Sequence, residues 1–168
     1  MKYANFCGLF LIAAITTGAC DPTHDEQVSA LGGEAPNVNE GPTHRPGEPC
    51  LRCHDGAFGD PEQFSVAGTI YRAPADATGA DGVRVVMTDA KGSTFAAVTN
   101  SAGNFYVTPN DFTPTYPMQA RIESGSTKVS MLTLIARDGA CSGCHVNPAS
   151  DESPGHVVLT LDDGGTPP

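Results

Sequence analysis

Short apolar segments separated by turn residues run through the middle of the chain and restrict its fold. They are rich in Val, Ile, Thr and aromatic residues, and clusters of Gly, Pro, Asn and Asp lie between them. This spacing is typical of an antiparallel sandwich or barrel, so we predict an all-β fold with no long helix. The segments are VAGTIY (66–71), VRVVMT (83–88), TFAAVT (94–99), FYVT (105–108), MQARIES (118–124), VSMLTLIA (129–136) and HVVLTL (156–161).

Two of these segments carry a more specific pattern. Val83, Val85 and Met87 share one face of a strand, and Arg84, Val86 and Thr88 share the other, as expected for a half-buried strand. The residues Gly82, Val83, Val85, Thr99, Asn100, Gly103 and Phe105 give "Gly-Val-x-Val" followed by "Thr-Asn-x-x-Gly-x-Phe". With these residues the stretch 68–107 resembles the carboxypeptidase-regulatory or transthyretin-like family. The resemblance implies a small antiparallel β-sandwich, transthyretin-like or immunoglobulin-like, and implies no particular chemistry.

The first twenty residues indicate export. Lys2 precedes an apolar run over 6–15, small residues follow over 16–19, and Cys20 comes next. An apolar run of about ten residues is too short for a membrane span, which needs about 20, so residues 1–19 are predicted to be a secretion signal. The junction resembles the bacterial lipoprotein signal, which implies that Cys20 is acylated. The alternative is ordinary cleavage near Ala19 that leaves a free thiol.

The segment that follows Cys20 differs in composition from the apolar segments. Residues 21–43 contain five acids, no Lys or Arg, and several Gly and Pro. We therefore predict a flexible, acidic tether over 20–43, a domain over 44–162 and a disordered tail over 163–168. A lipid on Cys20 would hold this domain at the periplasmic face of a membrane or at the cell surface.

The charge balance restricts the partners. The chain has 9 Lys and Arg against 19 Asp and Glu, which gives a net charge of −10 at pH 7. A surface with this much negative charge repels the phosphate backbone of nucleic acids. Nucleic acid is therefore not an expected partner.

Two identical cysteine–histidine spacings flank the predicted strands, as CLRCH over 50–54 and CSGCH over 141–145. Cys-x-x-Cys-His is the attachment signature of c-type haem, because two thiols at this spacing reach the two vinyl groups and the next imidazole reaches the iron. Export agrees with this chemistry. We predict two covalent haem c groups, with Cys50, Cys53, Cys141 and Cys144 as attachment residues and His54 and His145 as proximal iron ligands.

Candidate ligands for the opposite side of each iron lie near each motif. His44 belongs to HRPGEPCLRCH, which is similar to a His-x-Pro-Gly-x-x-Cys-x-x-Cys-His pattern of small exported multihaem cytochromes. His156 follows the second motif. Both are candidate distal ligands, whereas His24 is expected to be solvated in the tether. Among the methionines, Met131 is the most plausible thioether ligand, although core packing is favoured for it.

Other uses of the four cysteines remain open. A four-thiolate zinc site would explain both pairs but neither following histidine. Two redox disulfides are also possible, although a thioredoxin-like βαβ context is missing. Haem attachment explains the cysteines and histidines, their spacing and the predicted export of the chain together.

The function expected from these features is electron transfer by a membrane-tethered dihaem cytochrome, with redox proteins or an extracellular acceptor as partners. The alternatives are a dihaem peroxidase-like enzyme with one open iron and a zinc-stabilised interaction module; no catalytic residue is predicted. The haem loops, 44–60 and 138–156, come before the first and after the sixth strand. Because six antiparallel strands return the chain to its starting end, we expect both motifs at one pole.

Overall fold

A computed structural model describes residues 22–34, 38–56 and 62–159 of the chain. The predicted signal over 1–19, Cys20 and the tail over 163–168 lie outside these residues. Within them, no helix has the length and apolar character that crossing a membrane requires.

The described chain is built mainly of strands, which confirms the predicted small all-β sandwich. One helix precedes them, and a 3₁₀ turn forms at each Cys-x-x-Cys-His motif. The elements are α1 (Pro22–Ala30), β1 (Val66–Tyr71), β2 (Arg84–Thr88), β3 (Thr94–Val98), β4 (Asn104–Val107), β5 (Gln119–Ser124), β6 (Thr127–Ser130), β7 (Gly139–Ala140) and β8 (Val157–Val158). The motifs come before β1 and after β6, as predicted.

Two sheets enclose the core. One has the order β3-β2-β5-β6, and all its neighbours are antiparallel. In the other, β1 pairs antiparallel with β4 but parallel with the two-residue strands β7 and β8. The parallel pairs differ from the antiparallel prediction. They form because the chain crosses from β6 to the opposite sheet before it pairs with β1, and parallel pairing requires such a crossover.

The core lies between the sheets and follows the alternation in the sequence only in part, because Val86, on the opposite face of β2, is also buried. Val83, Val85 and Met87 are all buried, as their predicted shared face requires. Gly103 adopts a φ of +78°, and a Cβ there would lie 2.4 Å from the carbonyl oxygen of Ile70. Only glycine fits this close approach without a shift of the neighbouring backbone. Other buried members of the core are Val66, Ile70, Ala80, Phe105, Val107, Phe112, Met118, Ile122 and Leu159.

The strand predicted over 129–136 is shorter in the structure. β6 ends at Ser130, and beyond it Met118 and Ile135 form an isolated bridge. Leu132 and Leu134 are exposed between these points. The amide of Met131 still donates to the carbonyl of Ala120, so the three residues 132–134 oppose the single residue Gln119 before pairing resumes at Met118 and Ile135. Extra residues on one strand form a bulge, which interrupts the ladder.

The segment predicted as a flexible tether is partly helical. Pro22–Ala30 form α1. Proline is favoured at the first helical position because the missing N–H would have no intrahelical partner there, and Asp25 lies in the first turn, where the helix dipole favours an acid. Arg45 then ties the following residues to the sandwich through Glu34 and the carbonyl of Gly32. This part of the segment therefore packs on the domain.

A buried polar network holds the loop before the first motif against the first sheet. The hydroxyl of Thr69 donates to Asn104 Oδ1 at 2.7 Å and accepts from the amide of Gly47 at 2.7 Å. Asn104 Nδ2 donates to the carbonyl of His44 at 2.8 Å. These bonds fix the backbone that carries His44.

Replacing Asn104 by alanine is expected to lower the free energy of unfolding by about 1–3 kcal/mol, because buried partners lose their hydrogen bonds. Urea denaturation measures this change. Asn110→Ala, at an exposed position, is the control and should change stability by less than about 0.5 kcal/mol. Equal effects of the two substitutions would contradict a structural role for the network.

Candidate functional site

The two Cys-x-x-Cys-His motifs fold into the same backbone turn. Cys50–Arg52 and Cys141–Gly143 are 3₁₀ turns. In each motif the histidine amide donates to the carbonyl of the first cysteine at 3.0 Å. The second cysteines have φ/ψ of −102°/−32° and −115°/−32°. The residues between the cysteines are Leu-Arg in the first motif and Ser-Gly in the second. The shared backbone geometry therefore does not depend on the identity of these residues.

The two motif histidines also share a hydrogen-bond arrangement. Nδ1 of His54 lies 2.7 Å from the carbonyl oxygen of Glu62, and Nδ1 of His145 lies 2.9 Å from that of Gly155. A carbonyl only accepts hydrogen bonds, so Nδ1 is the donor in both rings. The neutral ring then has its lone pair on Nε2, which is the arrangement that metal-binding histidines use.

Strand β1 brings the motifs together. A Cβ added at Gly68 would lie 2.6 Å from the Cβ of Cys141, so the glycine makes room for the second motif. A cleft of about 390 Å³ opens between the motifs. The first motif contributes Arg52 to its lining, the second contributes Ser142 and Gly143, and Tyr71 and His156 complete the wall.

The motifs therefore lie close together, but beside strand β1 rather than at one pole of the sandwich, so the predicted position is wrong. We predicted this from six antiparallel strands that return the chain to one pole. Instead, β7 runs parallel to the start of β1 and β8 parallel to its end. Residues 141–156 form the loop between these two short strands, so the second motif lies beside the middle of β1.

The first cysteine of each motif is shielded from water. Cys141 packs against the hydrophobic core, and burial raises the pKa of its thiol to about 12, with the nearby Cys50 adding to the shift. Burial also raises the pKa of Cys50. Cys144, in contrast, is exposed. Both shielded thiols therefore stay protonated at neutral pH when they carry no covalent group.

In protein produced without haem, Cys144 should react with iodoacetamide at pH 8 much faster than Cys141. The thiolate is the nucleophile, and the raised pKa of Cys141 leaves very little thiolate at this pH. Peptide mass mapping over time measures both rates. In guanidinium chloride the two rates should become similar, and a folded protein that alkylates both cysteines equally would contradict the burial of Cys141.

His44 faces the first motif. Its ring centre lies 6.0 Å from that of His54, with the planes at 67°. Metal–nitrogen bonds to imidazole are about 2 Å long, so two imidazoles on opposite sides of one metal ion have centres about 6 Å apart. The distance between the rings of His44 and His54 is compatible with a shared iron, and the ligand role of His44 stays a prediction.

His156 lies in the wall of the cleft. Its ring stacks on Tyr71, with centres 3.8 Å apart and planes at 7°. Its Nδ1 is buried and has no hydrogen-bond partner among the described residues. Burial lowers the pKa of this imidazole. A buried nitrogen without a hydrogen-bond partner is unusual, and the ligand role of His156 stays a prediction.

His24 corrects one prediction. The sequence suggests a solvated side chain, but this side chain is only 14% exposed. Its Nε2 lies 2.6 Å from the carbonyl oxygen of Arg52 in the first motif. The prediction is wrong because α1 packs against the motif. Pro22 at the helix start is the sequence signal that pointed to this helix.

In the ranges 22–34, 38–56 and 62–159, no group of three or more His, Cys, Asp or Glu side chains is placed to hold a metal ion. The four-thiolate zinc site and the two haem groups both stay predictions.

Comparison of the chain with protein-family models, curated proteins and solved structures gives no match. Its function therefore has to be inferred from the chemistry and geometry of the site itself.

Proposed function

We propose that this chain is an exported dihaem c-type cytochrome that carries electrons between redox partners. The observation that carries this proposal is the repetition of one unit, in which a Cys-x-x-Cys turn is followed by a histidine whose Nδ1 donates to a backbone carbonyl. A redox disulfide would need no such histidine. A bound haem supplies a one-electron Fe(III)/Fe(II) couple.

Different residues of the chain would attach, ligate and orient the two haem groups. Four cysteines attach them covalently, and His54 and His145 present Nε2 to the irons. The carbonyls of Glu62 and Gly155 orient these two rings. The covalent sites are Cys50, Cys53, Cys141 and Cys144, with His44 and His156 as the proposed second ligands.

Electron transfer is favoured over catalysis because each motif has a candidate second ligand. An iron with two protein ligands has no open position for a substrate such as peroxide. The negative charge of the chain favours a partner protein with a basic surface, or an extracellular acceptor, and disfavours a partner protein with an acidic surface. A lipid on Cys20 would keep the protein at a membrane, directly before the helix α1.

Expression with an export signal and cytochrome maturation tests the proposal. The intact mass should exceed that of the mature polypeptide by two haems and one diacylglycerol-containing lipid group, and the ferric spectrum should be low-spin. A substantial high-spin component would favour the peroxidase-like enzyme instead. A purified exported protein with no Soret absorption would refute both haem functions.

A further inference from the structure

A carboxylate from the segment before the domain contacts the candidate distal ligand of the first motif. Glu34 Oε1 lies 3.2 Å from Nδ1 of His44, an ion-pair distance at which the two groups do not have hydrogen-bond geometry. The same oxygen accepts a hydrogen bond from Nε of Arg45 at 2.8 Å. Both the Glu34 and the His44 side chains are about three quarters buried, with 23% and 26% exposed.

Several bonds hold this carboxylate in place. The guanidinium of Arg45 donates to the carbonyl of Gly32 at 2.6 Å and to that of Leu31 at 3.3 Å. Arg45 itself adopts a φ of +47°, a conformation that costs a non-glycine residue energy. Asn104 fixes the backbone of His44 from the other side. These bonds hold the two chain segments that carry Glu34 and His44 against each other.

The second carboxylate oxygen of Glu34 has an environment that lowers the stability of the fold instead of raising it. Oε2 of Glu34 is buried and has no hydrogen-bond partner among the described residues. A buried acceptor without a partner is costly. The Nε–Oε1 distance of 2.8 Å to the Arg45 guanidinium is typical of a charge-assisted hydrogen bond to an ionised carboxylate.

A carboxylate at Nδ1 changes what the opposite nitrogen of an imidazole does. It fixes the proton on Nδ1, orients the ring and makes Nε2 a stronger electron donor. A stronger donor and a nearby negative charge both favour the more positive, oxidised state of an iron.

We propose that Glu34 is a positioning residue for His44 and lowers the reduction potential of the one haem that His44 ligates. This inference rests on the proposed cytochrome function. It would make the two haems of the chain unequal, because Glu34 lies within ion-pair distance of His44, whereas no ion pair of His156 is found among the described residues. The segment between the lipid and the domain would thus take part in redox tuning as well as in tethering.

The test compares Glu34→Gln with Glu40→Gln in the full, haem-loaded protein. Both substitutions remove one negative charge from the same segment, but Glu40 is exposed. Spectroelectrochemical titration at constant pH measures the two midpoint potentials. We expect Glu34→Gln to raise one potential and leave the other unchanged, and Glu40→Gln to change neither. Equal effects of the two variants, or an equal shift of both haems, would overturn the proposal.

A second measurement separates tuning from a loosened structure. Low-spin ferric haems give electron paramagnetic resonance signals whose g values report the donor strength of the axial imidazoles. Glu34→Gln should move the signal of one haem while both remain low-spin; a high-spin signal in its place, showing loss of the ligand, would overturn a role in tuning. If the parent protein holds two haems but Glu34→Gln has no effect, only this inference fails. If the parent protein holds none, the proposed function fails with it.

Discussion

Replacing Cys50 and Cys53 together by alanine is expected to remove one covalent haem and retain the other. The bonds that shape each turn lie within the motif, from the histidine amide to the first cysteine carbonyl. Loss of one pair should therefore leave the other motif able to react. Haem content by the pyridine haemochrome method should fall from two per chain to one, with a matching decrease in intact mass.

The reciprocal change, Cys141→Ala with Cys144→Ala, should also halve the haem content but destabilise the protein more. Cys141 packs against Gly68 and the hydrophobic core, so a haem attached there would be continuous with the sandwich. Thermal denaturation of both double variants compares these losses. Cys20→Ala is the control, and it should remove the lipid and leave both haems. If either double variant lost all haem, the motifs could not be independent sites.

Replacing His44 by alanine is expected to convert one of the two haems from six-coordinate, low-spin to five-coordinate, high-spin. The ring of His44 is the one placed 6.0 Å from that of His54, so its loss opens one side of a shared iron. About half of the ferrous haem should then bind carbon monoxide, which visible spectroscopy detects. An open iron of this kind is also expected to give the variant a higher peroxidase activity than the parent protein.

His24→Ala is the matched control for this experiment. His24 packs against the first motif through the carbonyl of Arg52 but lies outside the proposed ligand set. Both haems of this variant should remain low-spin and unable to bind carbon monoxide. If His44→Ala behaved like His24→Ala, His44 would be a packing residue and the ligand of His54 would have to be sought elsewhere, with His156 as the next candidate.

Sequence reasoning was successful where the relevant physics is local. The alternation of Val83, Val85 and Met87 predicted a buried strand face, since neighbouring side chains on a strand point to opposite sides. The clusters of turn residues located most of the strands. Haem as the cofactor stays a prediction, and so does the resemblance to the transthyretin-like family.

The sequence was less informative where contacts join distant segments. His24 was expected in solvent because its neighbours are acidic, and only the packing of α1 places it on the first motif. The contact of Glu34 with His44 was not predicted, because Glu34 is one of several acidic residues in a segment without a hydrophobic period. The strand over 129–136 ended early because residues 132–134 bulge out of the pairing between the Ala120–Met131 bond and the Met118–Ile135 bridge. None of these outcomes follows from a window of neighbouring residues.

The sequence by itself determined the all-β class and the two spaced cysteine–histidine motifs, because strand alternation and motif spacing operate within a few residues. Only the tertiary structure decided that β7 and β8 pair parallel with β1, that both motifs share one cleft, and that Glu34 lies on His44. Those arrangements depend on the path of the chain between the sheets, which packing of the whole core selects.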